Sequence, residues 1–193
     1  MQLIDTQNLT KTAEQAARIV SSGGIVIAPF DTVYGIIADP RNEQAIERIF
    51  VLKDRPVSKT LGLAADTIES VEEYAEIKDR AYVADRTPGR YTFILEAKTK
   101  VLNKNCYRGN TIAFRIPESK LILGIAEKCG GIIAQTSANR SGEPNCLSVD
   151  DLRSQFGDLL DHVDLTIDGG IIENGQPSKL IDLTGDTPRE IER

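Results

Sequence analysis

The chain has 193 residues, of which 40% are hydrophobic and 27% charged, as is typical of one globular domain with a sizeable core. Its 23 Lys and Arg residues against 29 Asp and Glu give a net charge of −6, which argues against general attraction to nucleic acid or an anionic membrane. No apolar run approaches the roughly 20 residues that span a bilayer, and no signal peptide pattern opens the chain. We therefore expect a cytoplasmic protein with a single domain over 1–193.

Hydrophobic periodicity and turn residues predict interleaved helices and strands. Helices are predicted over 10–22, 42–52, 67–74, 78–86, 118–129 and 149–156. Strands are predicted over 25–28, 33–37, 61–65, 91–95, 111–116, 132–135, 163–167 and 179–183. Because this order does not repeat as βαβ units of about 30 residues, the sequence favours an α/β fold with a twisted mixed sheet flanked by helices over a Rossmann fold.

Cysteine and histidine usage argues against several kinds of site. The three cysteines, Cys106, Cys129 and Cys146, match neither a CxxC metal pair nor a disulfide framework, so we expect them to be reduced and structural. His162 is the single histidine of the chain. A zinc site built from histidines or a Ser/His/Asp hydrolase would need imidazoles that this sequence lacks.

Two polar segments stand out in the first third of the chain. Segment 29–35 interrupts two apolar strands, and it is explained either by a ligand site or by a turn in which Asp31 and Thr32 cap backbone groups. Segment 53–59 places three cations within seven residues of an acidic chain. Lys53 and Arg55 are two residues apart before Pro56, where extended backbone would project both to one side as a phosphate clamp. A solvated cluster at a helix terminus is the alternative.

Two more polar segments follow later strands. In 111–117, Thr111 and Arg115 share one face of a predicted strand, where an arginine suits a carboxylate or phosphate, or else a salt bridge on an edge strand. Segment 135–145 is small and polar, and its hydroxyls, amides and accessible backbone N–H groups suit a nucleotide. It matches neither a P-loop nor GxGxxG, and an ordinary turn is the alternative.

Taken together, these segments resemble the YrdC-like family of threonylcarbamoyl-AMP synthases. The resemblance rests on DTVYG at 31–35, KxRP at 53–56 and SANxSG at 137–142, and it extends over nearly the whole chain. The resemblance implies an α/β sheet around a large, positively lined central cleft. It also implies an enzyme that joins L-threonine, bicarbonate and ATP into threonylcarbamoyl-AMP and pyrophosphate. Partner proteins would then use the product to modify tRNA.

The resemblance also implies site residues, motif by motif. Catalytic roles are implied for Lys53 and Arg55. ATP binding is implied for Arg55, Lys59, Thr111, Ser137, Asn139, Asn145 and Arg193. Threonine binding is implied for Thr32, Tyr34, Arg115 and Ser178, with Arg115 on the carboxylate. No residue is implied as a metal ligand, so Mg²⁺ is expected to arrive with ATP and to balance its charge.

The match has departures that leave other functions open. Ala64 stands where many members have a histidine, Lys179 follows Ser178 in place of a threonine, and Arg90 replaces a proline. Segment 87–95 looks more like the paralogous YciO-like branch, which usually lacks the SAN motif present here. A paralogue acting on a different threonylcarbamoyl substrate is one alternative. A non-catalytic RNA-binding or ribosome-maturation factor is another, although the net charge and ten scattered aromatic residues allow only weak RNA contact.

Overall fold

The computed structural model describes residues 2–192, through which one mixed sheet runs. Its strands are β1 (Leu3–Asp5), β2 (Val26–Pro29), β3 (Tyr34–Ala38), β4 (Gly62–Ala65), β5 (Ala75–Glu76), β6 (Tyr91–Ala97), β7 (Tyr107–Arg108), β8 (Thr111–Arg115), β9 (Ile132–Ser137), β10 (Leu165–Asp168), β11 (Lys179–Asp182) and β12 (Arg189–Ile191). The helices are α1 (Leu9–Ser21), α2 (Glu43–Lys53), α3 (Ile68–Glu72), α4 (Arg80–Ala84), α5 (Lys120–Lys128) and α6 (Val149–Phe156). Two 3₁₀ turns cover Lys104–Cys106 and Gly157–His162.

Short polar side chains fix where the helices begin. Each of α1 to α6 starts after a residue whose side chain accepts a hydrogen bond from a backbone N–H in the first turn, which satisfies one of the unpaired donors there. These caps are Asn8, Asn42, Thr67, Asp79, Ser119 and Ser148. Helix α2 ends at Asp54, which adopts the left-handed conformation (φ 49°). This reversal ends the helix immediately before Arg55.

The strand order is β1-β10-β2-β3-β9-β4-β8-β6-β11-β12, with β5 paired to β6 and β7 paired to β8. The pairs β1/β10, β10/β2, β4/β8 and β6/β11 are parallel, and the others are antiparallel. Strands from distant parts of the chain therefore lie side by side at the centre. This brings β3, β8 and β9, which border the polar segments, into the centre of the sheet.

The central strands are apolar on both faces because helices cover both. In β2, Ile27 belongs to one hydrophobic cluster and Val26 to the other, as the two-residue period of a strand requires. Helices α2, α3, α4 and α6 contribute to the first cluster, and α1 and α5, which pack against each other, contribute to the second. The α1/α5 pair covers part of its face, and the uncovered part carries the site described below.

The mixed α/β sheet flanked by helices is confirmed, and each predicted helix and strand overlaps an observed element. The four strands without a counterpart among the predictions are β1, β5, β7 and β12. Each has two or three residues, too few for a periodic signal, and tertiary pairing forms them. Within residues 2–192, no helix combines the length and apolarity that a membrane crossing requires.

Candidate functional site

A cavity of about 350 Å³ lies on the sheet face that α1 and α5 leave open, a volume within the range of small-molecule sites. Its lining comes from the β2–β3 turn, the strands β3, β4, β6, β8, β9 and β11, and the loops before β4, after β9 and before β11. Six residues with implied substrate roles line it, namely Thr32, Arg55, Arg115, Ser137, Asn145 and Ser178. Arg55, Arg115 and Ser137 thus share one cavity.

The floor of the cavity is made by residues with small or absent side chains. Gly35, Gly62 and Ala113 lie on adjacent parts of β3, β4 and β8. A Cβ atom on Gly35 would come within 2.6 Å of the Phe30 ring, and one on Gly62 within 2.8 Å of Gln135 Nε2. A larger residue at Gly35 would therefore press on the Phe30 ring, and one at Gly62 would move the Gln135 carboxamide.

At one end of the cavity lies a set of residues that we call the Arg115 group: Asp31, Thr32, Thr92, Arg115 and Ser178. Arg115 Nη2 donates to both carboxylate oxygens of Asp31, at 2.6 and 2.9 Å, and Arg115 Nη1 donates to Thr32 Oγ1 at 3.0 Å. The Arg115 and Asp31 side chains are only 4% and 8% exposed. This buried ion pair ties the β2–β3 turn to β8 and agrees with the salt-bridge alternative for Arg115, although β8 lies between β4 and β6 and is not an edge strand.

Two hydroxyls complete the Arg115 group. Thr92 and Ser178 are buried, and their oxygens lie 2.7 Å apart in a hydrogen bond. Phe93 pairs with Phe114 in the β6/β8 ladder, so Thr92 on β6 lies beside Arg115 on β8. The group therefore offers hydroxyls around a guanidinium whose charge is balanced by Asp31.

At the other end lies the Arg55 group: Arg55, Thr60, Ser137 and Asn145. Arg55 Nη2 donates to the Thr60 carbonyl at 2.8 Å, whereas Arg55 Nε is buried and has no hydrogen-bond partner within residues 2–192. Burial lowers the pKa of this guanidinium below its ordinary value, and within that part of the chain no carboxylate forms an ion pair with it. An unbalanced guanidinium with a buried unpaired N–H suits an anionic ligand such as a phosphate.

Lys53 lies behind this end of the cavity and does not line it. Its side chain is 1% exposed, and Lys53 Nζ donates to the carbonyls of Ser137 and Asn139 and, at 3.4 Å, to Asn139 Oδ1. Burial and the nearby Arg55 charge lower the pKa of Lys53 to about 7. The geometry makes Lys53 the anchor of the loop that carries Ser137.

Two other predicted site residues are buried with their polar atoms engaged by the backbone. The Asn139 amide donates to the carbonyls of Arg140 (2.9 Å) and Glu143 (2.7 Å) and accepts from Ser137 Oγ at 2.5 Å. The Tyr34 hydroxyl donates to the Gly170 carbonyl at 2.8 Å and accepts from Gly169 N at 3.0 Å. Both side chains therefore shape the loops around the cavity and contribute nothing to its lining.

Two more predicted residues, Lys59 and Thr111, are not among those that line the cavity. Lys59 is exposed in the loop after α2, and Thr111 donates to the Arg108 carbonyl at 2.9 Å at the start of β8, two residues before Ala113. Arg193 lies outside the described residues. Several lining residues had no predicted substrate role, namely Phe30, Thr60, Thr92 and Gln135. Strand alternation would have placed Gln135 on the same face as Ser137 in β9.

The residues do not form a metal centre of their own. Residues 2–192 contain no group of three or more His, Cys, Asp and Glu side chains that could hold an ion. Asp31, at the Arg115 end, already accepts from Arg115 and from the Glu118 N–H. A cation at this site would have to be held mainly by its ligand.

A model for the family of Sua5, YciO and YrdC, described as "Telomere recombination", matches residues 18–193. The chain belongs to this family. Sua5 of P. abyssi, as an H234A/Y235A variant, is 30% identical with a TM-score of 0.89 over 100% of this chain. The P. abyssi Sua5 complex with L-threonine is 28% identical with a TM-score of 0.88 over 99%. E. coli YciO is 27% identical with a TM-score of 0.84 over 100%.

These family members differ in how much of their own length the chain covers. The chain spans 57% and 56% of the two Sua5 chains but 94% of E. coli YciO. The Sua5/YciO/YrdC fold is thus shared with both kinds of relative, and the choice between their activities depends on the site.

Proposed function

We propose that this protein is an L-threonylcarbamoyladenylate synthase, which makes threonylcarbamoyl-AMP and pyrophosphate from L-threonine, bicarbonate and ATP. The observation that carries the proposal is the meeting of Arg55, Arg115 and Ser137 in one cavity, where Asp31 pairs with Arg115 and no carboxylate among residues 2–192 pairs with Arg55. The L-threonine complex of the Sua5 relative supports an amino acid as one ligand. The product would then pass to partner proteins that modify tRNA.

The reaction suits a site without a histidine or cysteine nucleophile. The threonine nitrogen bonds to the bicarbonate carbon, water leaves, and the resulting carbamate oxygen bonds to the α-phosphorus as the bond to the pyrophosphate oxygen breaks. The protein needs to hold the reactants in line and to balance the charge that develops on the phosphates. We assign the second task to Arg55, because its guanidinium lines the cavity.

Each end of the cavity has a proposed ligand. Arg55, Ser137 and Asn145 bind the nucleotide. Thr32, Arg115 and Ser178 surround the amino acid. The Arg115–Asp31 pair orients the amino acid through the Thr32 hydroxyl, which accepts from Arg115. Lys53 acts by holding the end of β9 and the loop that follows it, through the carbonyls of Ser137 and Asn139. Because the described residues form no metal site, Mg²⁺ would enter as the ATP complex, bound by phosphate oxygens.

The test is pyrophosphate release by the purified protein with ATP, Mg²⁺, bicarbonate and threonine. The proposal predicts release that depends on both threonine and bicarbonate and a product with the mass of threonylcarbamoyl-AMP. Omission of threonine, and separately of bicarbonate under CO₂-free buffer, provides the controls. Release that is absent, or unchanged without threonine, would rule the synthase out.

The second candidate function is that of a paralogue acting on a different threonylcarbamoyl substrate. It is favoured by the likeness to E. coli YciO, with a TM-score of 0.84 over 100% of this chain, and by Ala64, which lies in the buried cluster beneath α1 and α5. Incubating the protein with synthetic threonylcarbamoyl-AMP distinguishes the two. A paralogue would consume threonylcarbamoyl-AMP when no pyrophosphate is added. It would make no threonylcarbamoyl-AMP from threonine, bicarbonate and ATP.

A further inference from the structure

A row of three side-chain positions crosses the cavity floor. In the β4/β9 ladder Gln135 pairs directly with Gly62, and in the β4/β8 ladder Leu63 pairs with Phe114, which places Ala113 next to Gly62. All three residues line the cavity. Gln135 contributes the one long polar side chain of this row.

The missing side chain of Gly62 gives Gln135 its position. A Cβ atom on Gly62 would lie 2.8 Å from Gln135 Nε2, so the carboxamide extends across the strand into the space above the glycine. Within residues 2–192, no hydrogen bond ties this carboxamide to another group. This half-buried amide therefore has its N–H donors and its oxygen acceptor available to a ligand in the cavity.

The register places Gln135 between the two ends of the cavity. Ser137, in the Arg55 group, lies two residues beyond Gln135 along β9, and Arg115 lies two residues beyond Ala113 along β8. Strand β9 is antiparallel to β4, and β4 is parallel to β8, so β8 and β9 run in opposite directions. Ser137 therefore lies on one side of the row formed by Gln135, Gly62 and Ala113, and Arg115 lies on the other side. The Gln135 carboxamide therefore lies between the proposed nucleotide side and the proposed amino acid side.

We propose that Gln135 binds the planar one-carbon group that joins these two sides, the carbamate derived from bicarbonate. This inference rests on the proposed function and adds a contact for the third reactant. A carboxamide matches such a group because its N–H donates to a carbamate oxygen. Because the carboxamide is uncharged, it forms no ion pair with Arg55, whose guanidinium can then bind the phosphates. Gln135 is thus a binding residue for the group between the amine nitrogen and the α-phosphorus.

The experiment compares binding of L-threonine with that of N-carbamoyl-L-threonine, a stable analogue in which an amide replaces the carbamate oxygen. Calorimetry is carried out on the wild type, on Gln135→Met, which keeps length without polarity, and on Gln135→Glu, which keeps the acceptor. Gln44→Met, on an exposed position of α2 outside the cavity, is the matched control. Thermal unfolding confirms that each variant is folded.

We expect Gln135→Met to weaken N-carbamoyl-L-threonine binding about tenfold while L-threonine binding changes less than twofold, which is the loss of one to two hydrogen bonds. Gln135→Glu should weaken it at least as much, because a carboxylate has no N–H to donate to the analogue's carbonyl oxygen. Unchanged binding of the analogue, or equal loss for both ligands, would overturn the role of Gln135. Wild-type protein that binds neither ligand would overturn the proposed function itself.

Discussion

The two ends of the cavity carry one arginine each, and the two guanidiniums differ in the groups that they bind. Arg115 is neutralised by Asp31 inside a buried ion pair, whereas Arg55 donates to the Thr60 carbonyl and, within residues 2–192, forms no ion pair with a carboxylate. A balanced pair is part of the fold and positions its neighbours, and an unbalanced guanidinium is available to an anion. The same residue type is therefore part of the fold at one end, whereas at the other end the proposed function assigns it to the phosphates.

The largest expected effect tests the Arg115 end. Replacing Arg115 by Ala leaves the Asp31 carboxylate buried without its partner, so we expect the free energy of unfolding to fall by about 3–5 kcal/mol. This differs from the expectation raised by the ligand role alone, that Arg115→Ala would remove activity and leave the fold intact. Urea unfolding measures the change.

A double variant sharpens the same point. Asp31→Asn combined with Arg115→Met removes both charges together, so it should recover much of the stability that Arg115→Ala loses. An Arg115→Ala protein with the wild-type urea midpoint would contradict the structural role of the pair.

The next effect tests the Arg55 end. Arg55→Ala removes the positive charge and, with it, a single hydrogen bond to the backbone. Pyrophosphate release should therefore fall about 10²- to 10³-fold, while the free energy of unfolding changes little. Arg140→Ala is the matched control, since its side chain is 44% exposed and lies 3.7 Å from Asp54. Equal activity in Arg55→Ala and Arg140→Ala would remove Arg55 from the site.

Lys53 gives a pH-dependent test behind the Arg55 end. Its pKa falls from an ordinary value of 10.5 to about 7 in the folded protein, so between these values the unfolded chain binds more protons. Stability should therefore rise with pH from 7 to 9, by up to about 1 kcal/mol per pH unit, relative to Lys53→Met, which cannot titrate. Parallel urea titrations of the two proteins measure it, and identical pH slopes would contradict the shifted pKa.

The smallest effect concerns the hydroxyl pair at the Arg115 end. A double-mutant cycle of Thr92→Val and Ser178→Ala should give a coupling of about 1 kcal/mol in the free energy of unfolding, from their 2.7 Å hydrogen bond. Additivity of the two single changes would show that the bond contributes nothing to stability.

The local elements were predictable because their causes are local. A continuous apolar run predicts a strand buried on both faces, as in β2, and caps such as Asn42 and Ser148 determine where helices begin. The motifs at 31–35, 53–56 and 137–142 likewise predicted which segments would surround a cavity. Periodicity could not predict the two- and three-residue strands, which exist because longer strands pair with them.

By itself, the sequence determined the order of helices and strands, the family and the segments around the site. The tertiary structure decided how each polar residue is used, because partners come from distant positions: Asp31 balances Arg115, and the Ser137 and Asn139 carbonyls engage Lys53. It also set Gln135 opposite Gly62, which strand pairing alone brings together. The sequence determines which side chains are charged. Whether a charge is compensated depends on the groups that the fold brings next to it.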